Sequence, residues 1–201
     1  LYPGHNQLQQ IVLIPGKVRS YNIPTQNFTL YPASDNTRPP AVSARSYIVQ
    51  DITSRTILAS KYPDSIMLPA STTKLMTALV ALDQYPDLSQ VLTVKNQNQA
   101  IGQTIDLVAN EQLTIHSLLY ALLVHSGNDA ALAIADNYPG GYASFVQAMN
   151  NKAKQLHLTN TVYKNPSGIE QYGHVTTARD LAILAGVALN NEIVRQIVTT
   201  E

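Results

Sequence analysis

Pro69-Ala70-Ser71-Thr72-Thr73-Lys74-Leu75-Met76-Thr77-Ala78-Leu79-Val80-Ala81-Leu82 is the stretch on which the reading of this chain turns. A proline-marked turn runs straight into an apolar-periodic segment. A helix is therefore expected from Ser71 to about residue 84, ending at Tyr85-Pro86 because a proline cannot continue it. Residues three apart on a helix are neighbours, with Cβ atoms about 5–6 Å apart, so the Lys74 amine can reach the Ser71 hydroxyl. The first turn also offers unpaired N–H groups and the positive end of the helix dipole, which favour a developing alkoxide and help a lysine lose its proton. Taken alone, the same spacing describes an N-cap serine followed by a solvated lysine. The rest of the chain decides between a cap and a nucleophile.

Composition sets the outer limits. The 201 residues suffice for one domain with a substantial core, or one domain plus an appendage. Hydrophobic residues make up 45% and charged residues 13%, and 13 basic groups balance 13 acidic ones. No charge excess recruits nucleic acid or an anionic membrane surface. The absence of cysteine removes disulfides and thiolate metal ligation, and is compatible with an extracytoplasmic enzyme. No run approaches the ~18 apolar residues of a membrane span. The chain opens on Leu1 rather than Met, which is compatible with the removal of an upstream signal or anchor.

Outward from the serine helix, the N-terminal side reads as a hairpin. Ser46-Tyr47-Ile48-Val49-Gln50-Asp51-Ile52 and Thr56-Ile57-Leu58-Ala59-Ser60 are β-rich and flank Thr53-Ser54-Arg55, so they should pair antiparallel. Residues 1–40, with six prolines, form an expected extension or linker that adds at most a strand or two at 10–14 and 28–31. On the C-terminal side, 91–94 and 104–108 are expected as short strands, and 115–124, 129–137, 142–156 and 177–189 as helices. Gly140-Gly141 breaks the chain between helices, Thr177 with Asp180 makes a capping-box-like start, and Asn165-Pro166-Ser167-Gly168 is a tight turn.

A second chemical motif lies between two of these helices. In His125-Ser126-Gly127-Asn128 the glycine permits a sharp turn that leaves the Ser126 hydroxyl and the Asn128 amide projecting together. Alone it would be a C-cap followed by an N-cap. Ser71-x-x-Lys74 followed some fifty residues later by Ser126-Gly127-Asn128 is, however, the ordered pair of penicillin-binding proteins and β-lactamases. With Pro39-Pro40-Ala41-Val42-Ser43-Ala44-Arg45-Ser46, Leu68-Pro69-Ala70, Glu111-Gln112-Leu113-Thr114, Asp129-Ala130-Ala131, Asn165-Pro166-Ser167-Gly168 and Thr177-Ala178-Arg179-Asp180-Leu181-Ala182, the chain resembles the D-alanyl-D-alanine carboxypeptidase family of low-molecular-weight penicillin-binding proteins. The resemblance covers nearly all of residues 40–201.

It implies an α+β fold of the β-lactamase/transpeptidase type, with an antiparallel sheet covered by helices, a helical lobe, and Ser71 at the start of a buried helix beneath the sheet. It implies Ser71 as the acylated nucleophile, Lys74 as the base, Ser126 as proton relay to the leaving amine and Asn128 as the holder of the substrate's peptide carbonyl. The Ser71 N–H would be one of two oxyanion donors. The implied reaction removes the terminal D-alanine of a peptidoglycan stem peptide through an acyl-enzyme. It needs no metal or organic cofactor, and β-lactams would acylate the same serine. The implied location is outside the cytoplasmic membrane, with membrane association through a segment not in this sequence.

One family motif is missing. No lysine here is followed by Thr-Gly, the motif that the family carries on a strand lining the cleft. The expectation is a truncated or cleaved protein, its sheet incomplete and residues 41–201 the N-terminal part of the catalytic domain, with a C-terminal fragment supplying the missing strand. Two alternatives stand beside the carboxypeptidase: a murein DD-endopeptidase on the same scaffold, and a non-catalytic penicillin-binding-like module. A class A β-lactamase is disfavoured because no Glu-x-x-Leu-Asn element follows Ser126. His5, His116, His125, His157 and His174 lack ligand spacing, so no metal site is expected. His125 is read as helix-end packing, Asp129, Arg179 and Asp180 as cap and helix-surface pairs, and Tyr120, Tyr138, Tyr142 and Tyr163 as core or cleft-wall aromatics.

Overall fold

The computed structural model describes residues 41–95 and 100–200, together with the backbone of two short strands near the N-terminus. Those strands, β1 (Leu13–Ile14) and β2 (Lys17–Val18), pair antiparallel within a separate unit, Leu1–Ala33. The strand expected at 28–31 lies outside the described residues.

In the main unit, Ser34–Glu201, β3 (Tyr47–Gln50) and β4 (Ile57–Lys61) form the expected hairpin, with a register irregularity between Val49 and Gln50. Its turn is closed by the Asp51 carboxylate, which accepts from the Ser54 N–H at 2.6 Å, and by Arg55 in the left-handed region at φ 59°. A 3-10 turn, Ala70–Thr72, leads into α1 (Thr73–Gln84), which ends at Tyr85 before Pro86. Strands β5 (Val91–Thr93) and β6 (Gln112–Thr114) make a further antiparallel ribbon. Then come α2 (Ile115–Leu123), α3 (Asn128–Asn137), α4 (Gly141–Gln155), α5 (Ala178–Asn190) and α6 (Glu192–Val198). Among the described residues no single helix is long and apolar enough to cross a membrane.

Helix α1 is the hub. Met76, Ala78, Leu79, Val80 and Ala81 are all buried, and the helix packs against α2, α3, α4 and α5. Leu118, Leu119 and Leu122 of α2, Ile134 of α3, and Phe145 and Met149 of α4 complete a continuous apolar core with no solvent exposure at those six side chains. The hairpin packs on α5 through β3, so helices, rather than a sheet, surround the α1 core face.

Local chemistry fixes the helix ends. Thr114 caps α2 by accepting from the Ser117 N–H, Thr177 caps α5 by accepting from the Asp180 N–H, and Asn191 caps α6 by accepting from the Val194 N–H. The segment expected as a strand at 104–108 is not one. Its Ile105 and Leu107 N–H groups point at the Asp129 carboxylate instead of a neighbouring strand. Strand β6 and helix α6 were not expected, being only 3 and 7 residues long and too short for a periodic signal.

Candidate active site

Ser71 lies on the 3-10 turn at the head of α1, with an exposed side chain. The turn is entered through Ala70 at φ 48°, a left-handed conformation that is costly for a residue bearing a Cβ. Its neighbour in space is Gly168, at φ 88°, packed so closely that a Cβ there would overlap the Ala70 carbonyl. Glycine at 168 is therefore required twice, by its own backbone angle and by the approach of the Ser71 turn.

One helical turn later Lys74 is 3% exposed, and its amine is surrounded by oxygen. Nζ lies 3.2 Å from Ser71 Oγ, 2.7 Å from Asn128 Oδ1 and 2.9 Å from the Ser167 carbonyl. Burial without a carboxylate partner pushes the amine down to about 8 from its usual 10.5. A neutral lysine keeps two N–H bonds and gains a lone pair. With the two shorter contacts taken by N–H donation to Asn128 and Ser167, the lone pair is left for the Ser71 hydroxyl.

Asn128 is the first residue of α3 and is buried. Its Nδ2 donates to the Ile101 carbonyl at 2.6 Å, which fixes Oδ1 toward Lys74. Ser126 sits in the turn between α2 and α3 at φ 57°, half-buried, and its hydroxyl makes no hydrogen bond among the described residues. Three of the four expected residues thus form one hydrogen-bonded cluster, and the fourth stands two residues from Asn128. Beside Asn128 a cavity of about 180 Å³ is walled by Ile101, Leu132, Tyr142, Asn165 and Ile169, among others. A larger depression of about 580 Å³, lined by Arg45, Lys61, Tyr62, Ser65, Ile66 and Met67, contains none of the four.

Residues outside the two motifs hold this cluster. Asn165 Oδ1 accepts from the Ser167 and Gly168 N–H groups, and Thr77 donates to the Pro166 carbonyl at 2.6 Å, so the turn at 165–168 is locked onto α1. His174, 1% exposed, places Nε2 3.0 Å from Thr73 Oγ1 and stacks edge-on against Tyr163. Burial, with Lys164 nearby, lowers its pKa to about 4 and keeps the ring neutral. The Asn-Pro-Ser-Gly turn was visible in the sequence; the Ser167 carbonyl it presents has no side-chain signature.

His125 is exposed, so it does not pack at the helix end. Asp129 and Asp180 are buried: Asp129 gathers backbone N–H groups from residues 105 and 107, and Asp180 accepts from the Thr161 hydroxyl at 2.7 Å and the Asn160 N–H at 2.8 Å. Neither pairs on the helix surface, because each carboxylate satisfies a non-helical segment that has no ladder of its own. Arg179 does pair on the surface, with Asp64 at 2.6 Å. Tyr163 is core, and Tyr142 walls the cavity. Among the described residues no group of three His, Asp or Glu side chains is placed to hold a metal ion.

A turn-mounted serine, a buried lysine and, at the next helix start, an asparagine stand in the Ser-x-x-Lys, Ser-x-Asn order of penicillin-binding proteins and β-lactamases. Residues 33–201 match the D-alanyl-D-alanine carboxypeptidase family (peptidase S11), and the chain belongs to that family. It is similar to the D-alanyl-D-alanine endopeptidase of Escherichia coli K12, 33% identical over 175 residues that cover 84% of this chain and 54% of that protein. It is similar also to the E. coli D-alanyl-D-alanine carboxypeptidase DacC, 34% identical over 176 residues covering 82% of this chain and 44% of the relative. Among solved structures, the D-alanyl-D-alanine carboxypeptidase of Mycobacterium tuberculosis H37Rv superposes with a TM-score of 0.78 at 34% identity, over 83% of this chain and 64% of that one. The Streptomyces K15 DD-transpeptidase gives 0.75 at 32% identity, over 82% and 68%. The expected α+β penicillin-binding fold is thereby established. The chain spans about half the length of the curated relatives it matches.

Proposed function

We propose that this chain carries the acylating machinery of a serine-type D-Ala-D-Ala carboxypeptidase. The protein removes the terminal D-alanine from peptidoglycan stem peptides outside the cytoplasmic membrane and is acylated by β-lactams. The observation that carries this reading is the buried Lys74 amine, lowered to about 8 and 3.2 Å from the Ser71 hydroxyl with no acidic partner. Neutral Lys74 takes the hydroxyl proton as Ser71 Oγ attacks the carbonyl between the last two D-alanines, and the tetrahedral oxyanion is met by the Ser71 N–H at the head of the turn. The proton taken up by Lys74 is relayed through the Ser126 hydroxyl, which takes one proton as it gives one, to the departing D-alanine amine; Asn128 holds the peptide carbonyl, and water then cleaves the acyl-enzyme. Residues 41–201 are assigned to the N-terminal part of the catalytic domain and 1–40 to an extension.

Labelled penicillin should attach covalently at Ser71 of the protein at its encoded length, and Ser71→Ala should remove the label. Labelling that survives this substitution overturns the reading. Digested muropeptides then fix the reaction: release of D-alanine from pentapeptides with cross-linked dimers intact supports the carboxypeptidase. Dimers falling to monomers would move the assignment to an endopeptidase, the activity for which the 33% identical E. coli relative is named.

A further inference from the structure

Asp129 directly follows Asn128 on α3 and is buried, and its hydrogen bonds among the described residues go to neither Ser71 nor Lys74. Its carboxylate receives backbone N–H groups instead: Ile105 at 3.2 Å to Oδ1 and 3.0 Å to Oδ2, Leu107 at 3.0 Å to Oδ2, and its neighbour Ala130 at 2.9 Å to Oδ1. Residues 101–107 have no strand partner, and this carboxylate supplies the acceptors that a partner strand would have given. The same segment returns two carbonyls to Asn128. Ile101 O accepts from Asn128 Nδ2 at 2.6 Å, and Gln103 O accepts from the Asn128 backbone N–H at 2.8 Å. Between them Gly102, at φ 85°, lies so close that a Cβ would stand 3.1 Å from Asn128 Nδ2. With a carbonyl facing Nδ2, the Asn128 amide has one orientation, and that orientation presents Oδ1 to the Lys74 amine at 2.7 Å.

We propose that Asp129 is a positioning residue for acylation at Ser71: it clamps residues 101–107 onto the start of α3, and the clamped segment orients the Asn128 amide that receives the Lys74 N–H. The proposal rests on the Ser71–Lys74 reading above. Releasing the clamp frees the amide to turn, and Lys74 then loses an acceptor that both anchors the amine beside Ser71 and favours its protonated form. Two effects follow together. The amine is less well aligned, which slows acylation, and it releases its proton at lower pH.

The test is the second-order rate of Ser71 labelling by a fluorescent penicillin as a function of pH, in the full protein, for the parent, Asp129→Asn and Gly102→Ala. Asp129→Asn keeps the shape but turns an amide donor toward backbone N–H groups. Gly102→Ala leaves the carboxylate bonds intact and pushes a methyl against the Asn128 amide from the exposed side. The expected result is a rate lower by about ten- to a hundredfold in both, with the acid limb of the profile moved to lower pH. A merely structural Asp129 would reduce the fraction of folded, labelling protein without moving that limb. Parent-like rate and limb in both variants overturn the proposal. If Asp129→Asn fails to fold, Gly102→Ala alone decides by the same two readouts. A parent that takes no label at Ser71 overturns the functional reading and this proposal with it, whereas a labelled parent matched by its variants overturns the proposal only.

Discussion

A buried lysine amine surrounded by three oxygens gives the proposed reaction its expected pH behaviour. With Lys74 lowered to about 8, roughly a tenth of the amine is neutral at pH 7. With neutral Lys74 as the base of the proposed reaction, the rate of β-lactam acylation should climb through pH 7 to 9 with a midpoint near 8, and Lys74→Arg, which cannot lose its proton, should abolish it. A profile flat across this range would exclude Lys74 as the base. His174 makes a different prediction, about stability. Its folded pKa of about 4 lies below the unfolded value near 6.5, so between these the unfolded chain binds more protons. Stability is therefore fully present above pH 6.5 and falls as pH drops toward 4, by at most about 3 kcal/mol from this group. Urea unfolding across that window should show the loss in the parent and a flatter response in His174→Asn. Of these two residues only Lys74 was legible in the sequence, because its spacing from Ser71 is local. His174 stands 101 residues from its Thr73 partner, and nothing in either neighbourhood signals the contact.

At the scale of elements, the serine turn and the 165–168 turn are one device. Ala70 is held at a positive φ, and Gly168 is the residue that lets the second turn lie against it. Gly168→Ala would force a methyl into the Ala70 carbonyl from a left-handed backbone. We expect a loss of about 2 kcal/mol or more in stability and a fall in Ser71 labelling of at least tenfold in the molecules that still fold. Thermal melts and labelling of the same sample check both, and a stable variant that labels at the parent rate would show that the two turns are not coupled. Elements with strong periodicity or clear stop signals were readable beforehand: the β3–β4 hairpin, α1 ending at Tyr85-Pro86, and α2 to α5 within a residue or so. The error at 104–108 has a physical origin. Alternating Thr104-Ile105-Asp106-Leu107-Val108 suits a strand, but its Ile105 and Leu107 N–H groups are satisfied by a side chain that follows Leu107 by 22 residues, and its Val108 N–H by Glu111. Sequence periodicity reports which side chains are apolar, and it carries no information on where the backbone finds its acceptors.

For the molecule as a whole, the low charge content means that apolar packing, with little help from ion pairs, must hold the helices around α1. The salt bridges Arg179–Asp64 and Lys152–Asp83 have carboxylates 56% and 63% exposed, where such pairs contribute about 0–1 kcal/mol and are screened by salt. The core face is of another order. Phe145 has no solvent exposure and packs edge-on against Tyr138, so Phe145→Ala should cost about 3–5 kcal/mol. Unfolding by urea at low and at high sodium chloride separates the two contributions. The parent midpoint should move by no more than the equivalent of about 1 kcal/mol between the two salts, while Phe145→Ala should lower it by several times that amount in both. A salt shift as large as the Phe145 effect would mean that charge, despite its scarcity, governs stability here. Such a shift would point first to Lys74, the buried cation of α1, which has three oxygen partners but no carboxylate, so that its protonated form is the state that salt would have to stabilise.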